Sequence, residues 1–469
     1  MKGEALPLTA PVIPVDRAQL IDWYRRNRAR SRQLFDLIDP DAYYTRPIAL
    51  RNPIVFYEGH LPAFSVIALL RRGLGLAGVD AGLERLFERG IDPDSVDQAV
   101  PRSGAGTEWP SRDEVIAFGR RADEAIIDAL ERAPFDLVGG EHRAMRRGEA
   151  IFTALEHEAM HQETLLYMWH RLPHHQKRAP LGQKRAPLGQ DSAAAGLRYE
   201  RGGDPPRRAT VAIPAGEATL GADRAAIPFG WDNEFGAHNV AVGAFEIDVH
   251  SVTNAEFLEF IDAGGYRTPE WWSAAGWQWR EHEGITHPAF WARVDGHWCW
   301  RGMFEHVRLP AAWPVYVSGE EAAAFARWRG RRLPTEPEYH RAAFGSPDHQ
   351  GERSFPWGEA APDSSRGNFD CSSWEPVPVG ARPLGASAWG VHDLVGNGWE
   401  WTATVFGPFP GFEPMASYPE YSADFFDGQH YVIKGASPAT ARELVRRSFR
   451  NWFRPNYPFV YAKFRTALS

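Results

Sequence analysis

The sequence predicts an α+β multidomain chain, with a helix bundle over residues 1–175, a linker over 176–204 and a sheet-and-loop domain over 205–469. Three observations carry that prediction. Between residues 14 and 170 apolar side chains recur every three or four positions, as in DRAQLIDWYRRNRARSRQLFDLI and SRDEVIAFGRRADEAIIDALERA, the spacing of helices that bury one face. KRAPLGQ then occurs twice in tandem, at 177–183 and 184–190. This basic stretch contains Pro and Gly and has no period, so it reads as an exposed linker. From residue 205 onward, short alternating runs such as NVAVGAFEIDVHSVT are broken by Gly, Pro, Asn and Asp, the signature of strands and turns.

In the first part, Asp16 and Ser111 are the expected helix N-caps, because a short polar side chain can accept from the free N–H groups of the first turn. About four helices fit the length, as in a bundle. In the second part, TNAEFLEFIDAG and SGEEAAAFARWRGRR interrupt the strands as helices. The 19 Trp, 27 Phe and 14 Tyr concentrate in this half. They suit the core of a loop-rich fold, and their ring faces also suit a cation.

Composition excludes several function classes. A net charge of −8 over 469 residues disfavours electrostatic capture of nucleic acid or of an anionic membrane. Two cysteines, Cys299 and Cys371, are too few for a disulfide framework and fit a reducing compartment. MKGEALPLTAPVIPVDR lacks the apolar stretch of a signal peptide. No run of about 18 apolar residues is expected to cross a membrane, so a cytoplasmic location is expected.

Chemistry first shows in LEHEAMHQE, residues 155–163. His157 and His161 are four apart, which on a helix sets both on one face within reach of one metal ion. Ala150, Ala154, Leu165 and Met168 share that stripe, so the pair faces the bundle interior, where an imidazole is costly unless satisfied. H-E-A-M-H also matches the zinc-protease pattern. A protease needs a third ligand, yet Thr164 and Tyr167 stand where Gly and His are required, and the next Glu after Glu163 is Glu200, past the linker. His60, opening the apolar run LPAFSVIALL, is a third ligand from the helical half; His142, His170, His174 and His175 compete with it. Three neutral nitrogens suit Fe(II), Zn(II) or Cu(II). Glu163 lies off the ligand face, so a supporting role or a surface position is expected rather than ligation.

These residues resemble a known family. His60 in F-Y-x-G-H, followed by H-x-x-x-H-x-E at 157–163, resembles the DinB-like four-helix, iron-binding bundle of the ergothioneine-type sulfoxide synthases. The second half is similar to the formylglycine-generating-enzyme (sulfatase-modifying-factor) fold, a C-type-lectin-like α+β domain. Its marks are V-T-N at 252–254, R-L-P-T-E-x-E-Y at 332–339, F-P-W-G at 355–358, G-N-G-W-E-W-T at 396–402, K-G-A-S at 434–437 and R-N-W-F at 450–453.

The resemblance implies Fe(II) on His60, His157 and His161, and O2-driven attachment of a sulfur or selenium donor to the imidazole of hercynine, the Nα-trimethylated histidine. It places Asn451 and Trp452 near the trimethylammonium group, with Trp399, Trp401 and Phe453 as further members of the box. It implies a tyrosine that donates a proton or electron, for which Tyr418 and Tyr421 stand out, with Tyr43 and Tyr44 as others. The partners are then small molecules (hercynine, O2, and a selenosugar or thiol), with no nucleic acid and no membrane.

Two positions depart from the enzymes that use γ-glutamylcysteine. Met160 stands where they carry a Gln that hydrogen-bonds the imidazole, and Phe453 where they carry an Asp of the donor site. RPIALRNPIVFYEGHLPAF is similar to the selenoneine synthases, so a selenosugar donor and a carbon–selenium bond are expected. The alternative is a carbon–sulfur bond to cysteine or another thiol. A zinc hydrolase and a non-catalytic binding protein are the rivals from other classes. Formylglycine generation itself needs a reactive cysteine pair near the C-terminus, and nothing after Cys371 is Cys.

Overall fold

The computed structural model describes residues 16–88, 109–132, 143–179, 197–198, 204–347 and 351–469. His142 and the tandem repeat past residue 179 lie outside the described residues.

The helical half is built from α1 (Arg17–Asp36), α2 (Ile54–Ser65), the short α3 (Ala81–Leu86), α4 (Arg112–Arg132) and α5 (Glu149–Arg171). Both expected caps form. Asp16 accepts from the Ala18 N–H at 2.9 Å, and Ser111 with Glu114 makes a reciprocal box, Glu114 N–H to Ser111 Oγ and Ser111 N–H to Glu114 Oε2. Phe118, Ile126, Leu155 and Leu165 pack between the helices at 1% exposure or less. Arg28 of α1 donates to Asp123 of α4 and Glu158 of α5, at 2.7 and 2.9 Å, pinning three helices through one guanidinium.

One helix bears on the expected absence of a membrane span. Ile54–Gly73, α2 and its π-helical continuation Val66–Gly73, is long and apolar enough by composition to cross a membrane. Glu58, His60, Arg71 and Arg72 interrupt it, so it is no continuous apolar run. Of its most apolar window 89% is buried inside the protein, so it is the bundle's core helix.

In the second half, a four-stranded sheet runs in the order Asn451–Phe453, Tyr431–Ala436, Gly398–Val405, Ala462–Lys463. Its first two pairings are antiparallel and its last is parallel, with Ala462 opposite Trp399. Three helices begin at capping boxes: Thr253 with Glu256, Ser318 with Glu321, Thr335 with Glu338. This gives V-T-N and R-L-P-T-E-x-E-Y a structural meaning, since each supplies the hydroxyl that accepts from the first turn.

The halves meet along α5. Glu156 is paired with Arg446 through two bonds of 2.7 and 2.9 Å and accepts from the Trp231 indole at 2.8 Å. Glu163 accepts from Trp399, Ser437 and Thr440 at 2.6–2.7 Å. His170 bonds Tyr461 Oη and the Arg301 carbonyl. The helix that carries the histidine pair is therefore clamped by the second half on both sides of that pair.

Near this seam Lys177, the first residue of the repeat, is 7% exposed and its ammonium has no hydrogen-bond partner among the described residues. Burial, with Arg301 and Arg171 adding to it against Glu375, pulls its pKa down to about 7. An unfolded lysine titrates near 10.4. The unfolded chain therefore binds the extra proton between those values, and stability rises with pH across that window. Lys177→Met is expected to raise the melting temperature by a few degrees at or below about pH 7, and the gain should shrink toward pH 10. Thermal unfolding of both proteins across that range checks it; a variant less stable at every pH contradicts it.

Candidate metal centre and substrate pocket

His60, His157 and His161 come together although about 100 residues separate the first from the others. Their ligand-capable atoms all lie within 4.8 Å of one another. Local sequence explains the convergence. Gly59 lies directly under the Phe87 ring, where a Cβ would clash. That close approach lets the Phe87 carbonyl accept from His60 Nδ1 at 2.7 Å, which fixes the tautomer and leaves Nε2 with its lone pair. Phe64 stacks on His157 at 3.4 Å between centroids, and Phe56 on His60 at 5.1 Å, setting both ring planes.

Electrostatics completes the preparation for a metal. Burial lowers the pKa of His60 to about 4. Burial first, then the His161 and His60 charges, holds His157 well below the ordinary value; burial, then His60 and Arg51, does the same for His161. All three rings are neutral at pH 7, so a cation displaces no proton. Each ring also keeps one buried nitrogen with no hydrogen-bond partner among the described residues: Nε2 of His60 and Nδ1 of His157 and His161. Orphaned nitrogens at this density are costly without a ligand. Three imidazoles and no carboxylate fit a borderline metal such as Fe(II) or Zn(II).

The cluster opens into a cavity of about 250 Å³ that both halves line. Of the residues expected around a substrate, Met160, Trp399, Asn451, Trp452 and Phe453 line it, as do Tyr418 and Tyr421. Trp452 stacks on Phe406 at 4.2 Å and meets Tyr421 edge-on at 5.2 Å. Tyr418 packs edge-on against Phe64 and His157 at 5.1 and 6.1 Å. The Tyr421 hydroxyl donates to Met160 Sδ at 3.5 Å. Burial, then the Glu234, Asp232 and Glu156 carboxylates, keeps that phenol protonated far above neutral pH.

Three expectations move. Trp401 is not in this cavity: two residues beyond Trp399, its indole donates to the Val317 carbonyl at 2.9 Å, and it lines a separate cavity of about 650 Å³. One strand repeat of about 7 Å separates them, and only Trp399 reaches the seam. Tyr43 and Tyr44 lie on the other side of the bundle, the former under Arg112 and the latter bonded to the Pro110 carbonyl. His170 and His174 face the Arg301–Gly302 carbonyls rather than the centre.

Sequence reasoning passed over Arg51, which lines the cavity beside His161. It lies three residues before α2 in a stretch without period, and only the fold brings it to α5. Nor did spacing reveal that Glu163 is a buried acceptor for three donors of the other half.

Comparison with known proteins follows the same two halves. Residues 200–469 match the sulfatase-modifying factor enzyme 1-like domain, and residues 24–165 match the DinB superfamily. The chain is 35% identical to the hercynine oxygenase of Mycolicibacterium thermoresistibile, over 100% of this chain and 96% of that one. It is also 35% identical to the hercynine oxygenase of Mycobacterium tuberculosis, over 96% and 98%. With ergothioneine biosynthesis protein 1 of Neurospora crassa it shares 28% identity over 89% of this chain and 54% of the fungal protein.

Proposed function

We propose, because this chain belongs to the family of hercynine oxygenases and ergothioneine-type sulfoxide synthases, that it joins a thiol to the imidazole carbon of hercynine using O2 and an iron ion held by His60, His157 and His161. The observation that carries this reading is the three-histidine cluster opening into a cavity walled by Asn451 and Trp452. Overall, one O2 takes the hydrogens of an S–H and a C–H into one water, and its other oxygen ends on sulfur as the sulfoxide.

Bound iron would supply the redox capacity that O2 use requires. The protein's own groups do the rest. The Trp452 face and the Tyr421 ring suit a trimethylammonium, a permanent cation that no base can neutralise. Tyr418 and Tyr421 stand at the cavity wall, and Tyr421 keeps its proton at a hydroxyl whose burial prevents ionisation. Glu163, gripped from the second half, fixes the rotation of α5 and with it the two ligands that precede it. Both halves wall the cavity, which limits the water around the reacting groups.

Sulfur is preferred to the selenosugar expected from sequence. The full-length relatives bear the name hercynine oxygenase and the fungal one that of ergothioneine biosynthesis, and these names support the carbon–sulfur reading. The test is O2 uptake by the Fe(II)-loaded protein with hercynine, adding cysteine in one cell and a selenosugar in another, with mass spectrometry of the products. Uptake with cysteine and a sulfoxide product is expected. Uptake with the selenosugar alone returns the donor to selenium, and no uptake with either rejects the oxidative reading.

A further inference from the structure

The chain has six methionines. Met145, Met168, Met303 and Met415 are core residues at 5% exposure or less. Met160 alone among the described methionines is partly exposed, and it is the cavity that exposes it. Its place follows from α5. His157, Met160, His161 and Thr164 share one helix face by their spacing, and all four line the cavity. A thioether therefore stands beside two ligand histidines, and nothing in the proposed reaction uses its sulfur.

Met160 Sδ accepts from the Tyr421 hydroxyl at 3.5 Å. A thioether has no hydrogen to give and is a weak acceptor, so the direction of this bond is fixed and its strength is low. The Tyr421 ring is held separately, stacked on Trp231 at 3.9 Å. A change of chemistry at the sulfur therefore reaches the Tyr421 hydroxyl while the ring stays in place.

We infer that Met160 is an oxidation site: hydrogen peroxide entering the cavity converts it to the sulfoxide, and the Tyr421 hydroxyl registers the change. In that step the O–O bond breaks and an S–O bond forms. Sulfur loses two electrons to the oxygen it receives, and the peroxide leaves as water. Oxidation of a methionine follows its access. The four core methionines can react only after a local opening of the fold, whereas Met160 is reached through the cavity. The sulfoxide is polar and chiral where the thioether was apolar, and its oxygen is the stronger acceptor, so it holds the Tyr421 proton more tightly. The link to turnover rests on the hercynine reading above, in which O2 is consumed beside this side chain and hydrogen peroxide is the product of its two-electron reduction. The oxidation itself requires only the cavity.

The test exposes the full-length, metal-free protein to hydrogen peroxide and follows each methionine by peptide mass spectrometry. Fragment sequencing separates Met160 from Met168, which share a tryptic peptide. Met160 should gain one oxygen roughly tenfold or more faster than Met145, Met168, Met303 and Met415, because an opening that costs about 1.4 kcal/mol already slows them tenfold. The near-ultraviolet difference spectrum of tyrosine should shift to longer wavelength in step with that oxygen, as for a phenol given a stronger acceptor. Met160→Leu should remove the shift. Tyr421→Phe should also remove it while Met160 is still oxidised first. Oxidation of Met160 no faster than that of the four core methionines overturns the inference, and this comparison uses the native chain alone. A tyrosine spectrum unchanged after Met160 is oxidised overturns the part assigned to Tyr421, as does a shift that survives Tyr421→Phe. No arm contains iron or hercynine, so failure here is separate from failure of the oxidative reading, which shows as absent O2 uptake.

Discussion

His161→Ala leaves a folded protein that no longer retains iron. The native chain, reconstituted with Fe(II) and desalted, should hold about one iron per chain; the variant should hold close to none. The argument is geometric. His161 is the partly exposed member of the cluster, reached from the cavity, so truncating it enlarges a space that is already open, and its ring neighbours Tyr57, His60 and His157 keep their contacts with Phe56 and Phe64. The remaining rings, His60 on α2 and His157 on α5, still face each other at 5.1 Å between centroids. Two imidazoles without a third ligand bind a divalent ion far more weakly, since loss even of a supporting hydrogen bond costs 10- to 100-fold. Circular dichroism and the melting temperature should match the native apo protein. Melting of the metal-loaded native chain should exceed both, because a ligand that binds only the folded state stabilises it. Full iron retention by the variant, at unchanged stoichiometry, rejects the three-histidine assignment.

What could be read from the residues alone depends on range. His157 and His161 were legible because the helical period places them on one face within five residues. His60 was one of five candidates by its residue setting and was singled out only through the F-Y-x-G-H resemblance, since its position against the pair is set by how α2 packs on α5. TNAEFLEFIDAG and SGEEAAAFARWRGRR were also legible locally and both became helices, whereas the short helix Glu336–Phe344 was not read from the sequence. Arg51 and Lys177 were silent, and Glu163 was left between support and surface, for the opposite reason: the groups that act on them, Tyr457, Arg301 and Trp399, lie 124 to 406 residues away. Trp401 misled because strand alternation sets it on the same face as Trp399, and alternation carries no information on where along a strand the seam ends. The stretch around His60 reports how a ligand is held and not which donor is used, and the relatives' names favour the thiol alternative over the selenosugar.

The largest effect on stability is expected at Glu400, inside G-N-G-W-E-W-T. Glu400 Oε1 accepts from Lys463 Nζ at 2.8 Å and Oε2 from Arg465 Nε at 2.7 Å, and all three side chains are fully buried. Glu400→Gln keeps the shape and removes the charge, leaving the buried Lys463 and Arg465 cations without the carboxylate that both of them bond. Breaking a buried ion pair on one side costs about 3–5 kcal/mol, so a fall in melting temperature of roughly 10 °C is expected. The pH dependence separates this from a packing defect. Burial alone would raise the Glu400 pKa, but Arg465 and Lys463 more than offset it and hold the group below the usual carboxylate range. Its contribution is therefore complete above about pH 4.3, the unfolded value, and fades as the pH falls through the lower folded value. The gap between native and variant proteins should close in that acid range and stay constant from about pH 6 to 8. Replacing the whole triad by apolar residues (Glu400→Leu, Lys463→Met, Arg465→Met) should recover part of the loss, because the Lys463 and Arg465 charges go with that of Glu400, although Asp393 and the carbonyls of Asp248 and His392 lose their cationic neighbours. The effect reaches the centre through one strand. Trp399, next to Glu400, donates to Glu163 two residues past His161, so Glu400→Gln should also weaken iron retention while the triple apolar variant retains it. A Glu400→Gln protein as stable as the native one at neutral pH would mean the two cations find another counter-charge, and the strand's link to α5 would then rest on Trp399 alone.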